Sequence, residues 1–144
     1  MLLDQAMKPA QCCREGDSVQ DCARMMKQDN IGFIPICNDN GEPVGALTDR
    51  DLAIRVLAEG RSADTKVDAV MTRDVVSCRM EDDLESAELA MREHHKARIM
   101  ICDEGGKLVG VISLSDIADL ETEENAAQTF RDVASRESQQ PHAS

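Results

Sequence analysis

The sequence predicts a mixed α/β protein of the α+β kind, built from two pseudo-symmetric halves that each run strand, helix, strand, strand, helix. Three observations predict it. Displacing the chain by 65 positions aligns residues 15–53 with residues 80–118 without a gap. Identities fall at Asp17/Asp82, Met26/Met91, Ile34/Ile99, Ile36/Ile101, Cys37/Cys102, Gly41/Gly106, Val44/Val109, Gly45/Gly110, Asp51/Asp116 and Ala53/Ala118. Internal repetition of this kind is the first thing a sequence can say about architecture. The same order of helix, strand and turn signals recurs in both halves. Finally, 144 residues leave each half near the lower limit for burying a core alone, so each is expected to need the other.

Short apolar runs at residues 10–13 and 75–78 are expected to open the halves as strands. Asp17 or Ser18 can cap a helix whose apolar face is Val19, Cys22, Ala23 and Met26; the second copy offers Asp82 or Asp83, then Leu84, Ala87 and Met91. Residues 32–37 and 98–102 are strand-like in length and content. The turns Asn38-Asp39-Asn40-Gly41 and Asp103-Glu104-Gly105-Gly106 suit positive φ and close hairpins onto strands 44–48 and 108–113. Second helices are expected over 51–59, with Gly60 as C-cap, and over 115–120. The division that follows is 1–60 for the first repeat, 61–68 (RSADTKVD) as polar connector, 69–120 for the second repeat, and 121–144 as a tail. The tail is expected to be helical to about Ala134 and disordered beyond it, where apolar content falls.

Composition excludes several functions. The 28 acidic and 16 basic residues give a net charge of −12, which repels nucleic acid and anionic lipid. Phe33 and Phe130 are the only aromatic residues, so stacking platforms for single-stranded nucleic acid are missing. No window approaches the ~20 apolar residues of a membrane span, and the opening MLLDQAMKPA does not read as a signal peptide. A soluble cytoplasmic protein is expected. Cys12, Cys13, Cys22, Cys37, Cys78 and Cys102 have no CxxC or zinc-knuckle spacing, which favours buried free thiols over a disulfide framework or metal site. A redox or metal switch at Cys12 and Cys13 with His94 and His95 is the alternative, weakened because neighbours on a strand point to opposite faces. His94 and His95 otherwise read as a solvated helix end, and no metal site is expected. No nucleophile–base pair, P-loop or paired carboxylates appear, so the chain is not expected to be an enzyme.

The repeated junction carries the most specific chemistry. Thr48 and Asp51, and again Ser113 and Asp116, set a hydroxyl at a strand end and a carboxylate three residues later at a helix start. A carboxylate can accept both hydrogens of a vicinal diol, as in ribose, and the hydroxyl adds a donor and an acceptor. The same pattern is also what a helix cap requires, and the sequence leaves both readings open.

Together VMTRDVVSCRMEDDL, the strands FIPIC and RIMIC, and the motif D-x-x-G-x-x-V-G followed by two apolar residues and [T/S]-x-x-D resemble the cystathionine β-synthase (CBS) domain in tandem, the Bateman module, over about residues 1–120. TDRDLAIRVLAEG resembles the first copy of small stand-alone bacterial members. The resemblance implies two repeats packed sheet to sheet, a homodimer, and a non-enzymatic sensor. Such a sensor binds AMP, ADP, ATP, S-adenosylmethionine or sometimes NAD in the cleft between copies and signals to a regulated protein. It implies ribose positions at Thr48, Asp51, Ser113 and Asp116. Base-proximal positions fall at Ala46, Val111, Thr72, Val75 and Ser77, and phosphate-proximal positions at Arg50, Ser115 and Arg98. Two departures stand out: Met100 replaces the proline kept at Pro35, and Leu114-Ser115 replaces Asp49-Arg50, so the two sites should differ in polarity. The alternative is a ligand-free dimerisation or stress-associated adaptor that keeps the fold.

Overall fold

The computed structural model describes residues 1–120 and 123–139. The elements in chain order are α1 (Leu3–Ala6), β1 (Cys13–Arg14), α2 (Val19–Asp29), β2 (Phe33–Cys37), β3 (Pro43–Thr48), α3 (Asp49–Asp51), a π-helical continuation of α3 (Leu52–Leu57) and a 3-10 turn (Val67–Ala69). The second half follows with β4 (Ser77–Arg79), α4 (Leu84–His94), β5 (Arg98–Cys102), β6 (Leu108–Ser113), α5 (Leu114–Leu120) and α6 (Glu123–Gln139). Two three-stranded sheets result, β1-β2-β3 and β4-β5-β6, each with one parallel and one antiparallel pairing.

The expected turn chemistry and one of the two expected caps form these elements; Asp83, at the start of α4, makes no side-chain cap bond, and Asp82 Oδ2 accepts instead from the Arg79 amide at 2.9 Å. Ser18 caps α2 by accepting from the Asp21 amide at 3.1 Å. Asn30 and His95, one repeat apart, both end their helices in the left-handed region at φ 54°. In the hairpins, Asn38 Oδ1 accepts from the amides of Asn40 and Glu42, and Asp103 Oδ1 accepts from those of Gly105 and Lys107. Gly41 and Gly106 then take φ near +80°, which an L side chain resists.

The opening strands differ from expectation in extent. They cover 13–14 and 77–79 rather than 10–13 and 75–78. Pro35 explains the shorter one. In the second half the Met100 amide donates to the Val76 carbonyl at 3.1 Å and Ser77 pairs with Met100. Proline has no amide hydrogen to offer at the matching place, and β1 begins one pairing later, at Cys13 opposite Ile36.

The chain divides into two compact units, and their boundaries do not follow the expected halves: one is Ala10–Val75, the other joins Met1–Pro9 to the chain from Val76 onward. The expected connector 61–68 belongs to the first of these. Val67 is fully buried there among Val19, Ile34, Leu47, Val70 and Met71, and its amide donates to Asp17 O at 2.9 Å. Residues 1–9, expected in the first repeat, complete the second-half unit. Leu3 is fully buried beside Leu84, Met91, Ile99 and Ile117, and the Leu3 amide donates to Asp82 O at 2.8 Å. Burial of Val67 and Leu3 decides both placements, because an apolar side chain gains about 1.5–3 kcal/mol by leaving water.

Helix α6 extends past the expected end near Ala134 to Gln139; the rest of the expected disordered end, 140–144, lies outside the described residues. Thr129 and Val133 bury α6 in the second-half unit, and Arg92 on α4 donates to Thr129 Oγ1 at 3.1 Å. No described helix is long and apolar enough to cross a membrane.

Candidate functional site

In the Ala10–Val75 unit, β3 ends at Thr48 and α3 starts at once. The Asp51 amide donates to Thr48 Oγ1 at 3.1 Å, and the Thr48 amide donates to Asp51 Oδ2 at 3.0 Å. The hydroxyl–carboxylate motif is therefore a capping box, and the cap reading left open by the sequence is realised. It consumes one carboxylate oxygen. Asp51 is 8% exposed, and its Oδ1 faces Arg55 Nε at 3.6 Å. Arg55 is held elsewhere as well, donating from Nη1 to the carbonyls of Val70 and Met71 at 3.2 and 3.4 Å.

The second-half unit repeats the box with the same distances: Asp116 N to Ser113 Oγ at 3.1 Å and Ser113 N to Asp116 Oδ2 at 3.0 Å. The remaining atoms are used differently. Lys8 Nζ lies 2.9 Å from Asp116 Oδ1, and Ser115 Oγ lies 2.9 Å from Ser113 Oγ. Burial pushes the Asp116 carboxyl upward, but the Lys8 ammonium and the Ser113 amide and hydroxyl together outweigh it and hold the group below the usual carboxylate range. The hydrogen bond to Asp116, with its charge, holds Lys8 above the ordinary lysine value.

Glycine makes both junctions possible. The Ala46 amide donates to Thr72 O and the Thr72 amide to Ala46 O, while Lys8 and Val111 exchange the same two bonds. A Cβ on Gly45 would stand 2.8 Å from Thr72 O and 2.6 Å from Met71 Sδ; on Gly110 it would stand 2.8 Å from Lys8 O and 2.6 Å from Met7 Sδ. The close approach these glycines allow is to the chain's own 71–72 and 7–8 segments.

The expected site residues therefore fall into two groups. Ala46, Thr48, Arg50, Asp51, Thr72 and Val75 lie in the Ala10–Val75 unit, and Ser77, Arg98, Val111, Ser113, Ser115 and Asp116 in the other. Thr72 pairs through its backbone with Ala46 on β3, and Val75, expected on the opening strand of the second copy, lies before β4. Ser77 is on β4 beside Met100, and Arg98 pairs in register with Ser113. Arg50 is exposed on α3. Sequence reasoning missed Lys8, the cation at Asp116. The recurrence of Met7-Lys8 and Met71-Thr72 ahead of the opening strands was the available signal, but its spacing is one residue shorter than the main repeat.

The thiols are all free: Cys13, Cys22, Cys37 and Cys102 are buried, and Cys12 and Cys78 partly so. A hydrogen bond with Cys13, together with burial, pushes the Cys22 thiol up. His94 and His95 are exposed, with His95 Nδ1 3.3 Å from Asp132 O. Among the described residues no three His, Cys, Asp or Glu side chains gather as metal ligands. An open depression of about 430 Å³ is lined by Leu2, Asp4, Met80, Glu81, Asp103 and Glu104, none of them an expected site residue.

The family model described as CBS domain matches residues 5–58 and 67–123. The CBS domain-containing protein YhcV of Bacillus subtilis is 41% identical over 101 residues, covering 70% of this chain and 71% of its own. Among solved structures, Hypoxic Response Protein I with two coordinated zinc ions is similar at TM-score 0.74 and 27% identity, over 83% of this chain and 98% of that one. The CBS domain protein PAE2072 from Pyrobaculum aerophilum, complexed with AMP, matches at TM-score 0.75 and 19% identity over 94% and 99% of the two chains. Two matched segments, two sheets of the same build and two copies of one capped junction have a single explanation: the chain belongs to the CBS domain family and carries two CBS repeats.

Proposed function

We propose that the chain is a non-enzymatic regulatory module that binds an adenosine-containing ligand, AMP, ADP, ATP or S-adenosylmethionine, and signals occupancy to a partner protein, acting as a homodimer. The observation that carries this reading is the unspent chemistry of the Thr48–Asp51 box. Thr48 Oγ1 accepts from the Asp51 amide and keeps its own hydrogen to donate, while Asp51 Oδ1 takes no part in the cap. A sugar diol needs such a pair: a carboxylate oxygen to accept its O–H and a hydroxyl beside it. Ser113 and Asp116 are the second candidate pair. Ala46, Thr72 and Val75, with Val111 and Ser77 in the other repeat, are assigned to the base, and Arg50, Ser115 and Arg98 to phosphate. A solved CBS pair, MJ0100, is in complex with 5′-methylthioadenosine and S-adenosylmethionine, and PAE2072 is complexed with AMP; the family relation extends that ligand class to this chain as a proposal.

Thermal unfolding of the whole chain with AMP and with S-adenosylmethionine tests it. Ligand at a hundred times its Kd stabilises by about 2.7 kcal/mol, and Asp51→Ala abolishes the shift. No shift with either compound at millimolar concentration refutes the reading. One observation favours a second reading, the ligand-free adaptor: both boxes already spend their hydroxyl acceptor and one carboxylate oxygen on the backbone. Partner recovery equal with and without nucleotide would support it.

A further inference from the structure

We infer that Lys8 is an internal plug that closes the second repeat's hydroxyl–carboxylate pair, so that an adenosine ligand binds first at Thr48–Asp51 and reaches Ser113–Asp116 only when Lys8 is displaced. The inference rests on the ligand-binding reading above and adds which repeat keeps a carboxylate oxygen without a hydrogen bond and what occupies that oxygen in the other.

The two boxes have the same backbone geometry, so their difference lies in what else touches them. At Asp116 both carboxylate oxygens are taken, Oδ2 by the Ser113 amide and Oδ1 by Lys8 Nζ at 2.9 Å. The Ser113 hydroxyl is shared between the Asp116 amide and Ser115 Oγ. A diol arriving there must break a charge-assisted bond before it makes one. At Asp51 the nearest cation, Arg55 Nε, stands at 3.6 Å, outside hydrogen-bond distance, and its Nη1 is held by the Val70 and Met71 carbonyls. Residue 72, which holds in the first repeat the place that Lys8 holds in the second, is threonine and brings no charge. The Lys8 side chain is 75% exposed on a flexible stem, so it can swing off Asp116, whereas Lys8's backbone stays pinned to Val111.

Calorimetric titration of the whole chain with AMP separates the cases. Wild type is expected to take one AMP per chain tightly, with any second site weaker. Lys8→Met tightens the second site about fivefold, the effect of releasing an exposed ion pair, and brings stoichiometry toward two. Lys8→Arg keeps the wild-type pattern, and Lys8→Met with Asp116→Asn loses the gain. Two equal AMP sites in wild type, or an unchanged titration in Lys8→Met, overturns the plug while leaving the binding reading standing. No heat from AMP or from S-adenosylmethionine in either protein overturns the binding reading and the plug with it.

Discussion

The two repeats share a cap but not a counter-ion. In the first, the cation near the carboxylate comes from the helix itself, Arg55 one turn past Asp51; in the second it comes from a strand-like segment before the repeat, Lys8. Leu120 stands 65 residues after Arg55, and Thr72 pairs with Ala46 as Lys8 pairs with Val111, so neither half carries the other's cation at the matching place. Duplication preserved the hydrogen bonds that hold the backbone and let the remaining carboxylate oxygen vary. That is the pattern expected when the cap is structural in both copies and the outward-facing chemistry differs between them.

The comparison can be broken most forcefully through the cores. Leu3→Ala should cost about 3 kcal/mol in urea unfolding, since it empties a fully buried leucine site. Val67→Ala in the first-half unit should cost about 2 kcal/mol, and a negligible cost for either would contradict the unit boundaries. Next come the glycine contacts. Gly45→Ala and Gly110→Ala both drive a methyl against a backbone carbonyl that cannot swing aside, and each is expected to lose about 1–3 kcal/mol. Equal losses would sharpen the claim that the two segments are equivalent.

The caps come third. Thr48→Ala and Ser113→Ala should each lose about 1 kcal/mol, and stability should respond to both in the same way even where ligand binding does not. The smallest effect is the pH response of the Lys8–Asp116 pair. Because Asp116 is depressed in the folded state, its contribution is present above the unfolded carboxylate value of about 3.9 and is lost as pH falls through the lower folded value. For Lys8, raised in the folded state, the contribution is full below the unfolded lysine value and is lost as pH rises through the folded one. Lys8→Met should flatten both limbs of the stability profile, while Arg55→Met leaves them in place.

Much of this was legible in the chain. The repeat, the hairpin turns at Asn38 and Asp103, the apolar faces of α2 and α4 and the junction motif all follow from short-range chemistry that a single sequence displays. What escaped it is long-range. Nothing near Lys8 in sequence announces Asp116 as its partner, and nothing near Leu3 announces Leu84. The polar residues around Val67 made 61–68 look like a connector, although one valine buried in the right place ties it to a core. Pro35 was noted as a departure between repeats, but its consequence, a shortened β1, needs the partner strand in view. The π-helical stretch Leu52–Leu57 also has no sequence signal that we can identify.

The placement of the first nine residues has a temporal consequence. The unit formed by Ala10–Val75 is contiguous in the chain, so its contacts close only short loops. Its counterpart must dock residues 1–9 against β6 and α4 across the whole of the other unit, which lies between them in sequence. Closing so long a loop is entropically slow relative to local pairing. Connectivity thus makes closure around Asp51 local and closure around Asp116 long-range, and pulse-labelled hydrogen exchange is expected to protect β3 before β6.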